Sequence, residues 1–270
     1  MAHAFRKKRP SRASICWTLL ASAILLPGAA HAQRLPPPQP GVTGDPLRQD
    51  LRAEANVPNI SGTWIGQQGN RTIQPMDGGP TPFLPWAQAF FETRAAAEAA
   101  GQPLFDPSAN CLPSGVPRII ANGYPIDILQ VPGMVVITQE TLHGFRTIHL
   151  DGKPKPANLP PSYLGYSVGK WDGDVLVVET TDLNGFTQVD EEGRPKSSDM
   201  RVVERYQKRG PDLLQVTFTL YDPRTYSRPW SWQGTYKWSP DVRQNEYICE
   251  ENNRNKPDVT GKLRHGTEKK

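Results

Sequence analysis

The stretch Ile126–Leu150, IDILQVPGMVVITQETLHGFRTIHL, contains three short runs rich in branched and aromatic residues: IDILQV, MVVITQE and FRTIHL. Pro132-Gly133 separates the first two runs and His143-Gly144 stands before the third. Short β-favouring runs broken by turn residues read as antiparallel strands. The series continues outward on both sides. Asp151-Gly152 and Asp172-Gly173 are tight-turn signals. YSVGK, DVLVVETTDL, RVVERYQ, LLQVTFTLYD, PWSWQGTYKW and NEYICEE follow, and Ile60–Gln67 precedes them. About ten strands, with no long helix to cross between parallel neighbours, predict an all-β antiparallel barrel or sandwich. One accessory helix is expected in PWAQAFFETRAAAEAAG, with Pro85 in its first turn and Gly101 at its stop. Trp86, Phe90 and Ala97 would form the face that docks it.

The ends read differently. Residues 1–32 have the layout of a secretory signal peptide. Arg6, Lys7, Lys8, Arg9 and Arg12 lead, an apolar run from Ile15 to Leu26 follows, and Ala30-His31-Ala32 places the cut before Gln33. Residues 33–56 are a proline-rich linker, residues 57–252 a single β-barrel domain, and residues 253–270 a polar, disordered tail. Export implies the periplasm. The whole chain has 31 basic and 27 acidic residues; removing the five basic residues of the leader leaves 26 against 27. A nearly neutral mature chain argues against nucleic acid as a partner. Cleavage also leaves Cys111 and Cys249 as the last two cysteines. In an oxidising compartment an even pair reads as a disulfide, the alternative being two unpaired buried thiols.

Gly62-Thr63-Trp64, at the first strand of the folded part, resembles the G-x-W entry of lipocalin-like barrels. A wider resemblance rests on CLPSGVPR, YPIDILQVPGMVVITQE, FRTIHLDGKPKP, PPSYLGYSVGKWDGDVLVVETTDLNG, VVERY, DPRTYSRPW and CEEN. These motifs, between Trp86 and Asn252, are similar to a large, mostly uncharacterised group of exported bacterial β-rich proteins. The resemblance implies a lipocalin-like barrel and, as activity, elimination of water from hydroxysteroids. The chain departs from the group at Pro195-Lys196-Ser197, where relatives carry Pro-His-Ser.

The chain has no glycine-rich dinucleotide or phosphate loop and no nucleophile elbow. His143, His149 and His265 lack metal-ligand spacing on a helix, so no metal and no cofactor is expected. Acid–base chemistry in a cavity is what such a chain can build. Strand alternation puts Phe145, Thr147 and His149 on one face and Arg146, Ile148 and Leu150 on the other. Val175, Val177 and Glu179 share a face, as do Val202, Glu204 and Tyr206. A carboxylate in line with valines is expected to point inward, where desolvation would raise its pKa. This selects His149, Glu179 and Glu204 as acid–base candidates, with Arg146, Tyr166, Tyr206, Trp230 and Trp232 as substrate-binding groups. Each has a plain structural reading beside it: Glu204 could pair with Arg146, His149 could serve a turn, and the tryptophans could be core. Three functions therefore stand: a cofactor-independent lyase or isomerase for a hydroxylated apolar ring, an exported binding protein for a hydrophobic small molecule, and an envelope-associated structural module. The expected partner is that small molecule. Peripheral membrane association stays open and the oligomeric state unspecified.

Overall fold

A computed structural model describes residues 57–67, 73–102, 104, 106, 110–141 and 144–249. The leader, the proline-rich linker, the polar tail, His143 and His265 lie outside the described residues. Nine strands form a closed barrel. They are β1 (Gly62–Gly66), β2 (Ile126–Val131), β3 (Met134–Gln139), β4 (Gly144–His149), β5 (Tyr166–Asp172), β6 (Val175–Thr181), β7 (Arg201–Lys208), β8 (Leu213–Tyr221) and β9 (Trp230–Trp238). Each pairs with the next, and β9 returns to β1 through Trp64 opposite Trp238. The Pro132-Gly133 hairpin forms as expected, with Val131 opposite Met134 and Gly133 at φ 76°.

Two expectations need correction. The barrel is not antiparallel throughout, because β4 and β5 run parallel over a short contact, Ile148 beside Ser167 and His149 beside Val168. Residues 150–165 link them and include Pro154, Pro156, Pro160 and Pro161. A connection of that length and stiffness makes a crossover instead of a hairpin. The tenth strand, NEYICEE, is also absent as far as the described residues run: Asn245–Cys249 has no ladder. It lies along the end of β3 through side chains, with Gln244 Nε2 donating to the Thr138 carbonyl at 3.1 Å and the Asn245 N–H to Glu140 at 3.0 Å. Cys249 then joins Cys111 in the expected disulfide, 138 residues apart in sequence.

Strand alternation fills the barrel. Val202, Glu204 and Tyr206 of β7 point in, as do Leu214, Val216, Phe218 and Leu220 of β8. Trp230, Trp232 and Tyr236 of β9 join them. Trp64 is 1% exposed and donates its indole N–H to the Ile60 carbonyl at 2.9 Å. Gly62 beside it sits at φ 134°, and a Cβ there would come within 2.8 Å of the Trp238 indole nitrogen. Glycine, spacer and tryptophan thus serve one purpose: the glycine makes room for one indole so that the other can plug the barrel. A short helix, α2 (Arg118–Ala121), covers part of the barrel, with all four residues buried. Tyr236 Oη donates to the Ile120 carbonyl at 2.6 Å and Gln139 Nε2 to the Ile119 carbonyl at 2.8 Å.

The longer helix α1 (Pro85–Ala99) packs outside, but by a different face from the one expected. Ala87 is buried, and Phe91 meets Phe83 at 5.3 Å and the Arg194 guanidinium at 5.2 Å. Trp86 and Phe90 are 49% and 37% exposed. Ala87 and Phe91 thus form the docking face, and Trp86 donates its indole N–H to the Arg224 carbonyl at 2.7 Å.

Candidate functional site

The residues selected from the sequence separate by face. Arg146, Glu204 and Tyr206 are inside the barrel, where Arg146 Nη1 donates to Glu204 Oε1 at 2.9 Å and Nη2 to Glu204 Oε2. Arg146 also donates to Ser167 Oγ at 3.1 Å and to Thr180 Oγ1 at 2.7 Å, and these two hydroxyls bond each other at 2.9 Å. Tyr206 Oη donates to Glu204 Oε1 at 3.1 Å. The side chains of Arg146 and Glu204 are 1% and 0% exposed. Burial works against the Arg146 charge, but Glu204 and Tyr206 beside it hold the guanidinium firmly protonated. Burial, then Glu204, pushes the Tyr206 hydroxyl well above its ordinary value. This is a buried polar network with bidentate charge pairing, the structural arrangement open to Glu204 and Arg146 from the sequence. Trp230 and Trp232 are core as well: Trp232 stacks on Phe218 at 4.9 Å, and Trp230 meets Tyr226 edge-on at 5.5 Å.

His149, Glu179 and Tyr166 lie on the outer wall. Val175, Val177 and Glu179 do share a face, but Leu176, Val178 and Thr180 of the same strand are the ones fully buried. Both faces of this strand are apolar, so alternation alone did not say which one faced in. Across the ladder His149 is opposite Val168, and Val168 is opposite Glu179. His149 stacks on Tyr166 at 4.9 Å and 17°. Glu179 accepts from Arg201 at 2.9 Å, and the Arg201 guanidinium lies 3.8 Å from the centre of the Tyr221 ring. The structure therefore puts His149 and Glu179 on the opposite side of the sheet from Glu204.

An open groove of about 600 Å³ lies on this outer wall. Its lining comes from Pro161, Thr181, Asp182, Ser198, Asp199, Met200, Arg201, Tyr221 and Pro223. Tyr166 is opposite Thr181 in the ladder, so the groove adjoins the His149–Tyr166 stack. Its charges are paired: Lys155 with Asp182 at 2.5 Å, Arg201 with Glu179 at 2.9 Å, and Arg224 with Asp199 at 3.6 Å. The hydrogen bond from Lys155, then that from Thr181, holds the Asp182 carboxyl below its usual range. Asp182 and Arg201 escaped the reading of the sequence because they stand at strand ends, where alternation assigns no face. Tyr221 at the end of LLQVTFTLYD read only as a strand residue.

Lys196, where the chain departs from Pro-His-Ser, is buried, two residues before Ser198 of the groove lining. Its amine donates to the Val116 carbonyl at 2.6 Å, and burial, reinforced by Arg118, lowers its pKa to about 7. Among the described residues no group of three or more His, Cys, Asp or Glu is arranged to hold a metal ion. No helix there is long and apolar enough to cross a membrane. Compared with known proteins, the chain matches no family model and no curated protein.

Proposed function

We propose that this is an exported binding protein for a hydrophobic small molecule, seated in the outer-wall groove and not on the barrel axis. One observation carries this reading. The barrel interior is filled by side chains, with Arg146, Glu204 and Tyr206 bonded to one another, while the groove is open and combines apolar walls with a few fixed polar groups. Pro161, Met200, Pro223 and Tyr221 supply the apolar surface, and Thr181, Ser198, Asp182 and Arg201 the polar groups. Export is supported by the leader sequence and by the Cys111–Cys249 bridge. The resemblance to a mostly uncharacterised exported group, whose implied activity is hydroxysteroid dehydration, suggests fused-ring compounds as ligands to try first. Elimination of water needs an acid and a base facing one space. His149 and Glu179 share the outer wall with the groove, but Glu204 does not.

Hydrogen exchange of the protein with and without testosterone tests the reading. Protection is expected in residues 181–183 and 198–201, with the steroid recovered at unchanged mass. Protection confined to β2, β3 and β9 would move the site into the barrel. A steroid product one water lighter would replace binding with lyase activity.

A further inference from the structure

Asp182 is, with Cys111, one of two non-glycine residues among those described that hold a left-handed backbone, at φ 58°. Strand β6 ends at Thr181, and the chain must then turn to run beside Ser162, whose N–H donates to the Asp182 carbonyl at 3.0 Å. Glycine satisfies such a turn without strain, and aspartate does so because its short polar side chain hydrogen-bonds locally. Asp182 lines the groove, and its side chain is about one third exposed. Oδ1 accepts from Lys155 Nζ and Oδ2 from Thr181 Oγ1 at 2.7 Å. Each oxygen has two acceptor positions, so one remains on each. Lys155 belongs to the long crossover of residues 150–165, and Pro161 of the same crossover forms a groove wall. Long connections without regular structure are common places for binding elements.

We infer that Asp182 is the specificity-determining anchor of the groove: it accepts a hydrogen bond from a hydroxyl or other donor on the ligand, and Lys155 is the latch that orients it. The inference rests on the groove reading above. Protein with Asp182 already ordered loses little freedom when the ligand binds, so the latch raises affinity by preorganisation. Lys155 also balances the anion, so the site favours a neutral donor over a second cation.

The experiment measures the affinity of testosterone and of its 17-deoxy counterpart, which lacks the hydroxyl, for wild type, Asp182→Gly, Lys155→Met and Tyr221→Ala, with melting temperature recorded for each. Wild type is expected to favour the hydroxylated member on the order of ten-fold. Asp182→Gly should erase that preference while melting at or above the wild-type temperature, since glycine relieves the backbone strain. Lys155→Met should narrow the preference and keep its sign. Tyr221→Ala should weaken both steroids alike. If Tyr221→Ala weakens both but Asp182→Gly keeps the preference, the groove stands and the Asp182 assignment falls. Wild type without a preference has the same meaning. Tyr221→Ala with unchanged affinities overturns the groove reading and this inference with it. Equal loss of melting temperature in Asp182→Gly and Lys155→Met, with discrimination intact, would make the pair a structural latch only.

Discussion

Lys196 is buried, and among the described residues its one direct hydrogen-bond acceptor is the Val116 carbonyl, 2.6 Å away. A single neutral acceptor cannot replace the hydration of an ammonium ion, so the amine sheds its proton near pH 7 in the folded chain and near 10.5 when unfolded. Between those values the unfolded chain binds a proton that the folded chain lacks, so stability rises as pH rises from about 7 to about 10.5. Below about pH 7 both states are charged and the whole penalty is felt, on the order of a few kcal/mol. Lys196→Met should therefore melt higher than wild type at neutral pH. The gain should shrink toward alkaline pH, where only the loss of the Val116 hydrogen bond remains. Thermal melts across that range check this, and parallel pH profiles for the two proteins would refute it. Asp222 is too distant to pair with the amine; its carboxylate accepts from Ser197 Oγ at 2.7 Å.

Strands β4 and β7 are not neighbours in the barrel, yet Arg146 and Glu204 join them through its interior. Exchanging Glu204 for glutamine leaves the guanidinium buried without a counter-charge, which costs about 3–5 kcal/mol. Urea unfolding of Glu204→Gln should show that loss, with the affinity of any groove ligand unchanged. Reduced affinity in a protein of normal stability would instead place Glu204 against the ligand. The same strands show how far alternation could be read. In RVVERY the faces are chemically distinct: Val202, Glu204 and Tyr206 on one, Arg201, Val203 and Arg205 on the other. Their inward placement is as expected. In VLVVETT both faces carry branched apolar residues, and the inward choice fell to Leu176, Val178 and Thr180. The carboxylate of Glu179 then found Arg201 outside. In FRTIHL the polar Arg146 went inside and the aromatic Phe145 outside, because a matching carboxylate waited across the barrel.

For the molecule as a whole, the Cys111–Cys249 bridge closes a loop of 138 residues and pins the segment after β9 to the region leading into α2. Chain-entropy reasoning gives such a bridge up to roughly 4–5 kcal/mol, mostly by restricting the unfolded chain. The double variant Cys111→Ser/Cys249→Ser should unfold at clearly lower denaturant concentration while keeping the barrel's circular dichroism. A variant indistinguishable from wild type would show that the bridge does not constrain the unfolded state.

NEYICEE reads as a strand and is not one over Asn245–Cys249, but the positions of the nine strands, the hairpin at Pro132-Gly133 and the disulfide partners could be read from the amino acids alone. Each depends on chemistry that is local or on a choice with a single remaining partner: β propensity, turn residues, two cysteines. The parallel junction of β4 and β5, the docking face of α1 and the site could not. They depend on which residues meet across long separations, as Arg146 meets Glu204 inside and Asp182, Arg201 and Tyr221 border the groove outside. A period-two pattern tells which side chains share a face of a strand, and only closure of the barrel decides which of the two faces encloses the core.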